Sequence, residues 1–488
     1  MNINREEINI VWFKRDLRIQ DNEAIQNALL SKKRVLFIYV FEKLLQQDKH
    51  YSERHWNFIK QSLNDLNQEL EAYNSEILCV SSGIISTLNQ LLNTYKINTI
   101  FSHQETGLLI TYDRDKDVAR FCRNNSIHWK ENKNNAILRG LPNRKDWFEK
   151  WEDYMNSNLI ENHIKSEKII ATEEIKELKK GFQVVNLETP SSKKIQKGGT
   201  KTAWKYANTF FKTRHKQYMF HISKPALARE SCSRLSPYIS WGNVSIRQIY
   251  QKAIESRNDN NKRHLDAFIS RLRWQAHFIQ KFEMEHTMEK ESLNKGFQKL
   301  KKSISEKYQE AWKIGKTGFP LVDASMRCLN ETGYLNFRMR ALLVSFFTHI
   351  LWQPWQEASK HLSQMFLDFE PGIHFPQLQM NSGETGLDTL RIYNPIKNSK
   401  EHDEDATFIK KWVPELAKLP NTFIHEPYLM TSLDEQFNNF YLGKDYPKTI
   451  VELKHARKKA TEILWKMKDD KDVIADNKRI LKKHTTSK

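Results

Sequence analysis

Thr317-Gly-Phe-Pro-Leu-Val-Asp-Ala-Ser-Met-Arg327, followed by Thr332-Gly-Tyr-Leu-Asn-Phe-Arg-Met-Arg340, is the stretch on which the reading of this chain turns. Upstream stands a related phrase, Ser231-Cys-Ser-Arg-Leu-Ser-Pro-Tyr-Ile-Ser-Trp-Gly-Asn243. Each reads as a turn feeding a helix, loaded with small polar groups and guanidinium. Ser233, Arg234 and Ser236, at a turn before Pro237, suit the neutralisation of a phosphate. Hydroxyls, backbone N–H groups and a helix start do this without a glycine-rich loop. A Ser-capped helix start with Pro near its first position accounts for the same residues physically.

Working outward, residues 8 to about 130 alternate strand and helix signals. Ile8-Asn-Ile-Val-Trp-Phe13 is a strand, and Asp21-Asn-Glu-Ala-Ile25 opens a helix. Val35 to Phe41 is a continuous apolar strand, expected of a sheet covered on both faces. Trp56, Ile59, Leu63, Leu66 and Leu70 keep helical spacing, and Ile77–Val80 and Thr99–Phe101 are further strands. Residues 1–130 therefore read as a doubly wound α/β domain of about five parallel strands. It has no GxGxxG, which argues against a classical dinucleotide site. Residues 131–200, rich in Lys, Asn and Glu, read as an interdomain connector. Helical patterns dominate 201–445, and 446–488 reads as a basic helical tail that frays at its end.

The 488 residues suffice for two or three domains, and the formal charge of +19 attracts polyanions. A Lys-rich tail from Lys454 onward explains part of that charge. A mean hydropathy of −0.70 with 28% charged residues indicates a soluble protein. The longest apolar run, Ala341 to Trp352, is too short to span a bilayer. Glu6 and Glu7 at the start argue against a signal peptide. Four cysteines lie far apart with no CxxC, which argues against a disulfide framework or a cysteine-bound metal. A reducing, cytoplasmic setting and a monomer are expected.

Together with Trp12-Phe-Lys-Arg-Asp-Leu-Arg18, Arg391-Ile-Tyr-Asn-Pro395 and Trp412-Val-Pro-Glu-Leu416, these phrases resemble the photolyase/cryptochrome family, over residues 8 to about 430. The resemblance implies an α/β N-terminal doubly wound parallel-sheet domain followed by an all-α FAD-binding domain. It implies that the first domain can hold an antenna chromophore of folate or deazaflavin type. Carried over by motif, the FAD-binding residues are Tyr218, Ser233, Arg234, Leu235, Ser236, Gln275, Arg340, Asp368, Glu370 and His374. Arg340 and Asp368 match an ion pair beside the flavin ring that stabilises its reduced form. Read alone, they are a helix-face Arg and a helix-end Asp. Likewise, Arg15 and Asp16 read alone are a charged turn in which the two satisfy one another. Cys232 replaces a hydroxyl residue of the family's phrase.

Other departures bear on function. Arg271-Leu-Arg-Trp274 stands where lesion-repairing relatives have Glu-x-x-Trp, so the Trp is kept and the Glu is lost. The resemblance makes Trp274 and Met380 walls of a lesion pocket. His374 stands for an Asn near flavin N5 and is expected to donate a proton, since imidazole titrates near neutral pH. In the family's electron-transfer Trp chain, the middle member matches Trp355, the flavin-proximal one falls at Leu378 and the surface one near Lys302. Trp352 offers another route. The alternative is that Trp352 and Trp355 are core aromatics flanking Pro354. Two functions follow from the resemblance. One is a light-driven lyase acting on DNA that contains UV photoproducts. The other is a cryptochrome-like blue-light photoreceptor without repair activity. The basic charge favours the first; Arg271 and His374 favour the second.

Overall fold

The computed structural model describes residues 5–486. Its sheet has strands β1 (Glu7–Phe13), β2 (Arg34–Glu42), β3 (Leu78–Ser82), β4 (Lys96–His103) and β5 (His128–Asn132) in the order β3-β2-β1-β4-β5. All four pairings are parallel. The central strands are buried on both faces, which is why β2 is apolar throughout its middle. Facing residues split between two cores. Ile8, Ile10 and Trp12 belong to one, and Val11 and Phe13 to the other, as the two-residue period of a strand requires.

The segment after β5 returns to this domain. The Ile170 amide donates to the Val35 carbonyl at 3.0 Å, and Val184 pairs with Val80 in an antiparallel bridge. From Thr200 the chain is helical. The helix Pro320–Thr332 starts on its proline and stops at Gly333, whose φ of +69° is the left-handed conformation that closes a helix. The helices Leu453–Lys468 and Lys471–His484 bury Leu464, Val473 and Ile480, and Arg479 pairs with Glu285 at 2.6 Å. The tail is docked as far as His484. Its apolar stripe has a partner surface there, and the end at which fraying is expected, residues 487–488, lies outside the described residues. Among the described residues, no helix is long and apolar enough to cross a membrane.

The two domains meet where β1 ends. The Leu17 amide donates to the Trp241 carbonyl at 3.2 Å, and the Arg18 guanidinium to the Gly242 carbonyl at 3.1 Å. The Asn243 amide returns a bond to the Leu17 carbonyl at 3.2 Å. Asp21 pairs with Arg247 and accepts from the Ser245 hydroxyl. Gly242 has φ +77°, and a Cβ there would stand 2.3 Å from the Arg15 carbonyl oxygen and 2.5 Å from the Asp16 Cα. Both the conformation and the close approach require glycine. Gly242→Ala should therefore cost roughly 2 kcal/mol or more and lower the thermal midpoint. An unchanged midpoint would show that the interface is not packed as described.

Candidate functional site

A cavity of about 310 Å³ opens in the helical domain. This volume is at the small end of the range typical of cofactor and small-molecule sites. Its walls come from the 232–240 turn and from the helices Lys262–Met284, Phe337–Ser345, Trp355–Met365 and Pro371–Asn381, with their flanking loops. All ten of Tyr218, Ser233, Arg234, Leu235, Ser236, Gln275, Arg340, Asp368, Glu370 and His374 line it.

At one end, the 231–236 turn is held by Arg214, which donates to the Ser233 carbonyl at 3.1 Å. Arg234 has φ +62°, a conformation rare outside glycine. Its guanidinium stacks on Tyr334 at 3.8 Å and donates to Gln196 at 2.7 Å. Its Nε is buried without a hydrogen-bond partner. Ser236 starts a helix with Pro237 beside it.

Further in, Arg340 holds Asp368 in a bidentate pair. Nη1 donates to Oδ1 at 3.0 Å and Nη2 to Oδ2 at 2.8 Å. The Arg340 Nε donates to the Leu335 carbonyl at 2.9 Å, and the guanidinium lies 4.1 Å from the Phe366 ring. Burial alone would raise the Asp368 carboxyl, but Arg340 outweighs it and holds the group below the ordinary carboxylate value. Glu370 differs. Burial lifts it to about 7, and Arg15 and the Ser240 hydroxyl, 3.2 Å away, offset only part of this.

His374 does not behave as a neutral-pH donor. Burial lowers its pKa to about 3, so the ring stays neutral. Its Nε2 lies 3.1 Å from both the carbonyl and the hydroxyl of Ser359. A carbonyl only accepts, so Nε2 carries the proton and Nδ1 is left as an acceptor. The sequence expectation fails because nothing in the local string reveals this burial.

Trp274 and Met380 stand apart from the lining. On the helix Lys262–Met284, Arg271, Leu272 and Gln275 face the cavity, while Trp274 points outward, 48% exposed, against His277 and Phe278. From the helix Pro371–Asn381, Ile373, His374, Gln377, Leu378 and Asn381 face in, and Met380 is half-buried elsewhere. Sequence reading missed Asn336, Gln377 and Asn381. The last two follow His374 at helical spacing, a signal that was present.

Leu378 lines the cavity, and Trp355 is fully buried with its Nε1 3.4 Å from the Ser292 hydroxyl. Trp352 lies under two ammonium groups, Lys302 at 5.1 Å and Lys459 at 6.0 Å from the ring centroid. Lys302 is paired with Glu384, at 2.9 Å; Lys459 is in no ion pair among the described residues. Positive charge on the Trp352 ring is thus opposed.

Arg15 reaches this site from β1. Its guanidinium donates to the carbonyls of Ser240 at 3.2 Å and Phe369 at 3.1 Å and to the Tyr51 hydroxyl at 3.0 Å, and stacks on Trp241 at 4.2 Å. Asp16 is bound instead by His103, at 2.7 Å. The expected Arg15–Asp16 pairing is therefore absent, because each has a better-placed partner. Around Arg15, the cleft at the strand ends is packed with Lys14, Glu42, Glu105 and Arg114 and leaves voids of only about 20 Å³. An antenna chromophore in this cleft requires those side chains to move.

Hydroxyls and a guanidinium at one end, carboxylates and amides at the other, and aliphatic and aromatic walls between suit a long group with anionic and flat apolar parts. Residues 268–466 match the family model described as the FAD binding domain of DNA photolyase, and residues 9–140 match that described as DNA photolyase.

The chain belongs to the photolyase/cryptochrome family.

FAD is thus the cofactor this cavity fits. The deoxyribodipyrimidine photo-lyase of Alkalihalophilus pseudofirmus is 26% identical over 481 residues, covering 94% of this chain and 98% of that protein. Cryptochrome-2 of Arabidopsis thaliana is also 26% identical, covering 92% and 77%. The fold matches that of a Synechocystis cryptochrome with a TM-score of 0.81, and that of a photolyase from Sulfolobus tokodaii solved with two FAD molecules with a TM-score of 0.77; the Sulfolobus chain is 23% identical, with 94% and 99% covered.

Two predictions follow from these groups. Glu370 titrates near 7 when folded against an ordinary 4.5. Its stabilising effect is therefore present below pH 4.5 and lost as pH rises to about 7. In denaturant titrations of the FAD-free protein between pH 5 and 8, the parent should lose on the order of 2 kcal/mol relative to Glu370→Gln. Parallel pH curves would reject this. In photoreduction measured by flavin absorbance, Trp355→Phe should slow the reaction and Trp352→Phe should not. The reverse order would put the electron route through Trp352.

Proposed function

We propose that the protein is a light-driven DNA lyase that splits UV-induced pyrimidine lesions in the cavity mouth. The observation that carries this reading is the Arg340–Asp368 pair in the wall of a cavity that opens beside Arg271 and the half-exposed Phe337. When bound in its reduced form, FAD supplies on excitation the electron that opens the lesion and takes it back. For a cyclobutane dimer the two bonds joining the bases break, the electron returns, and no net oxidation occurs. The residues set the conditions for this. Arg340 keeps a fixed positive charge at the wall, which favours an electron-rich ring. Glu370, mostly neutral below pH 7, and neutral His374 add little opposing charge. Leu378, Phe366 and Val344 exclude water. The +19 charge of the chain draws DNA to the surface by its phosphates. The lesion must leave the base stack to reach the cavity.

A photoreceptor without repair is the second reading. Arg271 at the mouth and the outward-facing Trp274 favour it, because no carboxylate or indole waits there for a base.

The deciding experiment is illumination of the reduced, FAD-loaded protein with oligonucleotides carrying a cyclobutane dimer or a (6-4) product. Light-dependent restoration of intact bases in either substrate is expected. Salt-sensitive binding without restoration of either would reject the lyase and leave the photoreceptor.

A further inference from the structure

Glu370 and Ser240 line not only the FAD cavity but a second space behind it. This is a void of about 20 Å³ between the domains, bounded on its far side by the loops that follow β4 and β5. It has room for about one water molecule. Arg15, Glu105, Asn134, Asn135 and Arg139 supply most of its polar lining. The Oδ1 atoms of Asn134 and Asn135 are buried without a hydrogen-bond partner among the described residues. So is the Nε of Arg139, which lies 3.6 Å from Glu283. Two acceptors and a donor around a space of this size are the surroundings that hold a buried water, because buried polar groups are rarely left unpaired.

The void leads outward. Asn134, Asn135 and Arg139 are half-buried, whereas Arg15 and Glu370 at the inner end are buried. Glu370 therefore stands as the wall between a path to solvent and the FAD cavity. It is also a group able to change its proton, since burial lifts its carboxyl to about 7. The groups that face it are Arg15 from β1, Ser240, Gln275 from the helix Lys262–Met284, and Asp368 two residues before it. Arg15 is shared with Glu105, 3.6 Å away, and so does not hold Glu370 ionised. His374, the other titratable group of this wall, is not part of the void's lining, and its Nε2 proton is taken by Ser359.

We propose that Glu370 is the proton carrier of the FAD cavity, and that the interdomain void, through one water, is the path by which it exchanges protons with solvent. When an electron enters the cavity, the Glu370 carboxylic acid releases its proton to the cavity side. Arg15 attracts the carboxylate that is left, and a proton entering along the void restores the acid. When the electron leaves, the same steps run in reverse. One proton enters the wall for each proton delivered, so the wall ends with the charge it began with. The proposal needs FAD in the cavity but not the lyase reading, and it applies to a photoreceptor equally.

The test uses the full chain with and without FAD, with flavin absorbance reporting the loading. In infrared spectra the parent should show a protonated carboxylic-acid band that fades with a midpoint near pH 7 and is missing from Glu370→Gln. Asn134→Leu fills the void with an aliphatic group and removes an acceptor that has no partner. With FAD closing the cavity side, this variant should exchange the Glu370 proton into D2O at least about tenfold more slowly than the parent; without FAD the two should exchange alike. With oxalate as electron donor, photoreduction of the parent should slow as pH rises through 7, while Glu370→Gln should be slow at every pH between 5 and 8. Should Glu370→Gln not retain FAD, the exchange rates of Asn134→Leu decide. A parent without the titrating band, or an effect of Asn134→Leu that is the same with and without FAD, none included, would overturn the proposal, whatever the protein does to DNA.

Discussion

The buried guanidinium of Arg15 ties the two domains together at the point where function is built. It leaves the end of β1, crosses the interface and caps the backbone carbonyls of Ser240 and Phe369. Phe369 lies between Asp368 and Glu370, so the wall that carries both acids is hung from the other domain. Ser240 repeats the link, since its hydroxyl donates to the Asp368 carbonyl at 3.2 Å and meets Glu370. A cation this deep is tolerated because it makes three hydrogen bonds, to Ser240, Phe369 and Tyr51, and Glu105 lies 3.6 Å away. Removing one partner would leave charge unpaired in a dry interface.

That clamp also explains how three titratable groups within one cavity differ so much. Asp368 has a guanidinium in direct bidentate contact and stays ionised. Glu370 shares Arg15 with several other partners and is left near neutrality. His374 has no charged partner and stays neutral. The wall thus keeps one strong ion pair and otherwise little charge, an environment suited to a group whose own charge changes during a reaction.

What was legible in the sequence was whatever depends on local pattern. Four of the five strands showed themselves as apolar runs, while β5, His128-Trp-Lys-Glu-Asn132, has no such run, and the 231–243 phrase brought together residues that line one cavity. Long-range partners did not show. Arg15 and Phe369 are 354 positions apart, and a local reading gives Arg15 to its neighbour Asp16. Trp274 follows its motif but points outward, because Arg271 and Gln275, four apart, take the inward face. The cations over Trp352 come from Lys302 and from the tail, whose docking is written in a sparse stripe of Leu464, Val473 and Ile480 among many lysines.

The central claim is that the cavity binds FAD in a shape held by Arg15 from the α/β domain. Its most direct measurement is the FAD dissociation constant of the parent and of Arg15→Met, by fluorescence of free flavin, with circular dichroism to verify folding. The account predicts tight retention by the parent and a loss of about tenfold or more in the folded variant, the scale of one charge-assisted hydrogen bond. Equal affinity in parent and variant, or a parent that fails to bind FAD, would contradict it.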